Sequence, residues 1–282
     1  MTTGDDIRDA QRATWDELAP GWATWDAIIQ AELGPVGDAL IERLAIRDDG
    51  RHLDVASGTG EPGLTIARRA PGGCVVLTDL SAQMLAIAEE RARAAGVGNV
   101  EVRVSTADDL PFDDASFDTA SVRFGHMFFP DPAAANREIA RVLVPGGRLG
   151  AAVWAEAEAN PWISIVMDAV ADEMPPAPPD PDAPGIFRFP APGMASALLA
   201  DAGLTDVVEW DVPVALVTAD PDQYWEVMGE DVSPAVVALR GLNAPARQRV
   251  RDVAIAGVAA FEEDGVVRVP GLARCVVGTK PR

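Results

Sequence analysis

Apolar residues recur at every third or fourth position near the start of the chain, at Trp15, Leu18, Trp22, Trp25 and Ile29. That spacing predicts a helical segment over residues 7–33, interrupted at Pro20-Gly21. A second helix is predicted over 35–44, closed by the polar turn Asp48-Asp49-Gly50. The pattern then changes to short apolar runs at 52–55, 74–78, 100–104, 118–122 and 148–154, which read as buried strands. Helices are predicted between them at 62–70, 82–95 and 136–143. Met84, Leu85, Ile87 and Ala88 form the stripe of the middle one, and Ser81 is its cap. Pro71-Gly72-Gly73 and Pro145-Gly146-Gly147 supply breaks. Strands alternating with helices at this rhythm predict an α/β fold with an open, doubly wound, mostly parallel sheet.

After Trp154 the rhythm lapses. Residues 175–184 hold six prolines in ten positions, which predicts irregular or polyproline II backbone, set as a surface excursion or lid. A helix is expected over 195–202, closed by Gly203, and a strand over 207–217, broken at Pro213. A helical excursion is expected over about 221–263, and a last strand over 266–279. The organisation expected is a helical lid at 1–33, the strand–helix core at 34–155 and a proline-rich lid insertion at 156–190. The core then continues at 191–218, a helical lid insertion follows at 219–265, and 266–282 is the final core strand.

Charge narrows the partners. The chain of 282 residues has 23 Lys+Arg against 44 Asp+Glu, a formal charge of −21. It lacks the basic stripe that nucleic acid requires, and an anionic membrane surface is disfavoured for the same reason. No apolar run reaches membrane-spanning length, and the first residues resemble no secretory signal, so a cytoplasmic location is expected. Two cysteines and two histidines without ligand spacing predict no metal site. A homodimer is compatible with the sequence, which leaves oligomeric state open.

Gly58-Thr59-Gly60-Glu61-Pro62-Gly63 fits the glycine pattern of dinucleotide sites, with Asp79 following 19 residues after Gly60. Asp54, four residues before Gly58, argues against that ligand, because a pyrophosphate there would meet a carboxylate. The segment from His52 to Gly60 instead resembles the first motif of class I S-adenosylmethionine (SAM)-dependent methyltransferases. Asp108-Asp109-Leu110-Pro111-Phe112, Ser116-Phe117-Asp118, the stretch from Arg123 to Pro132, and Arg141 to Gly147 resemble the later motifs, in the family's order. The nearest branch is the one containing ubiquinone/menaquinone-biosynthesis-type and small-molecule methyltransferases.

The resemblance implies a seven-stranded Rossmann-like sheet with the last strand antiparallel, and SAM as cofactor with S-adenosylhomocysteine (SAH) as product. It implies that Asp54, Ser57, Gly58, Thr59 and Gly60 surround the methionine part, and that Asp79 and Leu80 meet the ribose. Thr106, Ala107 and Asp108 would meet the adenine, Thr106 standing where the family commonly has Asp. Arg123 and Phe124 lie near the reacting end, with Arg123 alternatively a structural ion-pair partner. His126 is the candidate base, since an imidazole suits proton removal near neutral pH; the alternative is a buried histidine holding its loop. Trp15, Trp22, Trp25, Phe187, Tyr224 and Trp225 are candidates for an apolar acceptor pocket, or each fills its own part of the core. The expected activity is methyl transfer to oxygen, or less readily nitrogen or carbon, of a small aromatic or hydrophobic molecule. The alternative keeps SAM without methyl transfer, in cyclisation, decarboxylation or sensing.

Overall fold

The computed structural model describes residues 3–175, 180 and 183–282. Two helices, α1 (Gly4–Thr24) and α2 (Asp26–Leu44), precede β1 (Arg51–Val55) and α3 (Gly63–Arg69). Then follow β2 (Cys74–Asp79), α4 (Ala82–Ala94), β3 (Val100–Val104), β4 (Phe117–Arg123), α5 (Pro132–Val142) and β5 (Leu143–Trp154). The remainder is α6 (Pro161–Glu173), α7 (Met194–Asp201), β6 (Thr205–Thr218), α8 (Pro221–Trp225), α9 (Ala235–Arg240) and α10 (Ala244–Val258). A short β7 (Glu262–Glu263) and the long β8 (Val266–Thr279) complete the chain.

The sheet runs β3-β2-β1-β4-β5-β8-β6, with β7 paired onto β8. β1 to β5 pair in parallel, and β8 lies antiparallel between β5 and β6. This is the mostly parallel seven-stranded Rossmann-like arrangement expected, with the last long strand reversed. Leu53, Val76, Ala120 and Leu149 at its centre are all inaccessible to solvent. Each Leu or Val so buried contributes roughly 1.5–3 kcal/mol. α3 packs on β1 and β2, α4 on β2 and β3, and α2 crosses β4, β5, β8 and β6.

Several boundaries differ from the sequence expectation. The first two helices divide at Trp25, not at Pro20-Gly21, and both Pro20 and Pro35 lie inside helices. Gly21 is needed where α1 meets the segment after α8, since a Cβ there would lie 2.3 Å from the Asp231 carbonyl oxygen. β6 is continuous through Pro213, which pairs in register with Leu272. A proline is tolerated because β6 is the outermost strand, and its missing N–H removes no second ladder. β5 begins at Leu143 and includes the expected Pro145-Gly146-Gly147 turn, and α5 starts at Pro132. The helix α6 falls where only an irregular insertion was expected. Six residues of the proline run, 176–179 and 181–182, lie outside the described residues. No helix among the described residues is long and apolar enough to cross a membrane.

Candidate active site

The site is built where β1 ends. Ala56, Gly58 and Gly60 all take positive φ (53°, 54° and 108°), coiling the chain before α3. Gly60 cannot be replaced cheaply, since a Cβ would lie 2.8 Å from the Leu64 side chain as well as carrying that φ. Beneath the coil runs a buried polar chain. Asp54 Oδ2 accepts from the Gly63 amide (2.9 Å), and Asp54 Oδ1 accepts from the Ser121 hydroxyl (2.6 Å). His52 Nε2 lies 2.9 Å from Ser121 Oγ and Nδ1 lies 2.8 Å from Thr119 Oγ1. With Asp54 ionised, Ser121 donates to it and so accepts from His52 Nε2–H, which fixes the neutral ring as the Nε2–H tautomer. Burial lowers the His52 pKa to about 3 and pushes Asp54 up to about 7, against the pull of the Ser121 and Gly63 hydrogen bonds.

Above the coil opens a cleft of about 1550 Å³, its mouth included. It lies at the carboxyl ends of β1, β2 and β4, the position where sheets of this topology bind ligands. Ser57, Gly58 and Thr59 line it from the coil, and Asp79 and Leu80 from the end of β2. Thr106, Ala107 and Asp108 line it beyond β3, and Arg123 and Phe124 at the end of β4. Asp79 Oδ2 accepts from the Gly58 amide and Oδ1 from the Ser81 amide, both at 2.9 Å, leaving lone pairs on each oxygen. Burial raises its pKa, opposed by those backbone hydrogen bonds. Ser57 Oγ and Ser105 Oγ are buried on the wall without a hydrogen-bond partner. Ser105 had no signal in the sequence beyond its place after a strand.

Two of the residues expected around a cofactor are elsewhere. Asp54 is fully buried under the loop, with both oxygens committed to Gly63 and Ser121, so it shapes the coil and does not face a ligand. Gly60 is packed on Leu64 and is likewise off the wall. The same bond from Gly63 to Asp54 uses an amide that a phosphate would need at the start of α3. Thr65 N is taken by Glu61 (3.0 Å) and Leu64 N by the Gly60 carbonyl. That favours a ligand without phosphates.

The expected base is displaced too. His126 is buried behind the wall, its Nε2 2.8 Å from Asn136 Oδ1, while its neighbours Gly125 and Met127 reach the cleft. Burial lowers its pKa to about 4, only partly offset by the Asn136 bond. His126 therefore holds its loop against α5. Phe124, at φ 65°, turns its ring into a near-parallel stack on Trp154 (4.2 Å, 14°), and Trp154 leans on Trp162 (4.7 Å). Such strain on a non-glycine residue beside a cleft is typical of functional sites.

Of the six aromatic candidates, Trp15 and Trp22 line the cleft, with Trp15 edge-on to Phe128 at 5.2 Å. Trp25 instead donates to Asp231 (2.7 Å), Trp225 to Glu230 (3.0 Å) and Tyr224 to the Trp162 carbonyl (2.8 Å). Phe187 packs on the core beside Ile186, which does reach the cleft. Sequence reasoning missed the contribution of α2, whose Ile29, Glu32 and Leu33 form one wall. Their i, i+3, i+4 spacing was legible, but not what that face would meet.

α1 closes over the opening. Arg8 forms an ion pair with Asp108 (2.6 Å), the Ser81 hydroxyl donates to Asp16 (2.5 Å), and the Trp22 indole donates to the Val232 carbonyl (3.2 Å). Among the described residues no cluster of three acidic, His or Cys side chains is arranged for a metal ion.

Comparison with known proteins locates this architecture. Residues 53–147 match the family described as methyltransferase domain. The demethylmenaquinone methyltransferase of Thermus thermophilus is 48% identical over 101 residues, 35% of this chain and 44% of that protein. An uncharacterized protein of Mycobacterium tuberculosis is 37% identical over 135 residues, 47% of this chain and 48% of that one. The chain thus matches a little under half the length of these curated relatives. The YcgJ protein of Bacillus subtilis superposes with a TM-score of 0.56 at 22% identity, covering 87% of this chain and 98% of that one. The structural likeness shows the shared fold.

Proposed function

We propose, from the match of residues 53–147 to the methyltransferase-domain family, that the chain is a SAM-dependent methyltransferase. Its acceptor is a small aromatic or hydrophobic molecule methylated on oxygen. The observation that carries this reading is the composition of the cleft. A polar end, with Asp79 and the unpartnered hydroxyls of Ser57 and Ser105, adjoins an aromatic wall of Phe124, Trp154 and Trp162. The polar end suits a ligand with hydroxyls and a zwitterionic tail, and the aromatic end suits a flat apolar one.

The chemistry of these residues suits the cofactor. Asp79 keeps lone pairs for two ribose hydroxyls while its backbone bonds hold it in place. Ser57 Oγ and the Gly58–Thr59 backbone would meet the methionine end, and Thr106 to Asp108, which also line the cleft, would flank the adenine. Bound SAM supplies a methyl carbon already activated by its sulfonium, so the protein's task is alignment and exclusion of water. Phe124 and Trp154 restrict the acceptor to one plane, and α1 with Trp15 covers the entrance. The acidic protein and its uncharged aromatic wall favour a neutral acceptor.

The test is incubation with methyl-labelled SAM and a panel of phenols, quinols and amines, following SAH and the label by mass spectrometry. SAH together with a labelled phenol or quinol is the expected result. Labelled amine alone would move the reaction to nitrogen. SAM that binds yet stays intact with every acceptor would turn the reading to use of SAM without transfer.

A further inference from the structure

Among the described residues, Glu32 is an ionisable wall residue without a partner. It sits on α2 between Ile29 and Leu33, is only 5% exposed, and lines the cleft. Its Oε1 is buried and has no hydrogen-bond partner, and no ion pair reaches it among the described residues. A lone carboxyl in an apolar wall costs stability, so a fold that keeps one gains something else from it. The other ionisable groups on the walls are engaged elsewhere. Arg8 is paired with Asp108, Asp79 holds two amides, and Arg123 donates to the Leu33 carbonyl and is drawn toward Glu61 and Asp54. Asp131 caps α5 through the Ala134 amide. Asp231 and Glu230, in the segment after α8, each accept from an indole, and the Tyr224 hydroxyl is bonded to the Trp162 carbonyl.

We propose that Glu32 receives the proton of the acceptor's hydroxyl during methyl transfer, and that the acceptor is an uncharged, largely apolar molecule presenting a single hydroxyl to Oε1. This rests on the methyltransferase reading above. The step balances within the cleft. The acceptor O–H proton passes to Glu32, the oxygen lone pair forms the O–CH₃ bond, and the C–S bond breaks with its electron pair going to sulfur. Before the step the cleft holds a carboxylate and a sulfonium, and afterwards a neutral acid and a neutral thioether. An apolar wall stabilises that annihilation of charge. Without ligand, burial pushes Glu32 up to about 8, so near neutrality it carries a proton that an arriving sulfonium would displace.

Calorimetry of SAM and SAH binding near pH 7, in buffers of different ionisation enthalpy, tests this without any acceptor. SAM is expected to release up to one proton that SAH does not, and Glu32→Gln to abolish the difference while SAH affinity stays within about threefold. With a turned-over acceptor, Glu32→Gln should lose turnover by about 100-fold or more, with Glu32→Asp recovering part of it. Gln is isosteric with the protonated carboxyl, and an unchanged melting temperature and SAH affinity of the Gln variant separate the effect from misfolding. Equal proton release by SAM and SAH, release that persists in Glu32→Gln, or full turnover by that variant would each overturn the proposal. Absence of SAM binding to the parent protein would instead overturn the methyltransferase reading itself.

Discussion

At the scale of single residues, the site depends on carboxyl groups with opposite assignments, one facing the cleft and one beneath it. Asp79 and Asp54 end neighbouring strands and look alike in sequence, yet Asp79 reaches the cleft while Asp54 is spent on Gly63 and Ser121. The motif made both acidic positions legible, but not which way each carboxylate points, because that is set by Gly63. A Cβ at Gly63 would lie 2.9 Å from Asp54 Oδ2 and 2.3 Å from Leu77. The buried placement has a measurable consequence. Asp54 titrates at 3.8 when exposed and at about 7 in the fold, so the native state holds a proton that the unfolded chain has lost in that window. Its contribution to stability is therefore intact below pH 4, declines as pH rises to 7, and is level above. His52 and His126, held down to about 3 and 4, act in the opposite sense, adding stability as pH rises toward 6.5. The wild type alone thus shows a blunted profile, and the informative quantity is the difference from Asp54→Asn. That variant should gain on the parent by on the order of 2 kcal/mol between pH 5 and pH 8 in urea unfolding. A difference independent of pH would mean that Asp54 ionises freely in the fold.

At the scale of elements, the segments with strong local signals were readable and those fixed by distant contacts were not. α4, with its Ser81 cap accepting from the Met84 amide, and β8 fall where periodicity and breakers place them. α6 was missed because the proline run beside it dominates the composition, although Asn160 and Pro161 form its start. β6 was broken in the reading at Pro213 because nothing local says that a strand will be outermost. The same limit governs α1, whose three tryptophans read alike. Two turn into the cleft, and Trp25 ends the helix and bonds to Asp231, more than two hundred residues on. The first turns of α1 are attached to the core side of the cleft by Arg8 and Asp108, whose side chains are 27% and 15% exposed. A half-screened pair of this kind is worth about 1 kcal/mol. Arg8→Ala should therefore speed SAH dissociation by about three- to tenfold, measured by stopped-flow tryptophan fluorescence, with little change in melting temperature. An unchanged dissociation rate would show that α1 does not retain the cofactor.

At the scale of the whole molecule, the doubly wound, mostly parallel sheet follows from the alternating pattern, whereas the acceptor wall is assembled from α2, β5, α6 and the segment after α8. Side chains so far apart in sequence converge only through packing, which is why Phe124, Trp154, Trp162 and Glu32 form no recognisable string. Net charge, by contrast, is a property of the chain that needs no fold. A formal charge of −21 leaves a negative potential over the surface, which salt attenuates within about 10 Å at 0.1 M. SAM carries sulfonium and ammonium against one carboxylate, a net single positive charge, and SAH is net neutral. The potential therefore holds the cofactor before transfer more firmly than the product after it, and the methyl transfer itself weakens the attraction. Raising salt from about 20 mM to 500 mM should weaken SAM binding about two- to fivefold while SAH affinity changes little. Titration calorimetry at both ionic strengths gives the ratio directly. A SAM-to-SAH affinity ratio that stays constant would mean that the surface charge does not reach the cleft. Discrimination between the two would then rest on contacts at the sulfur alone.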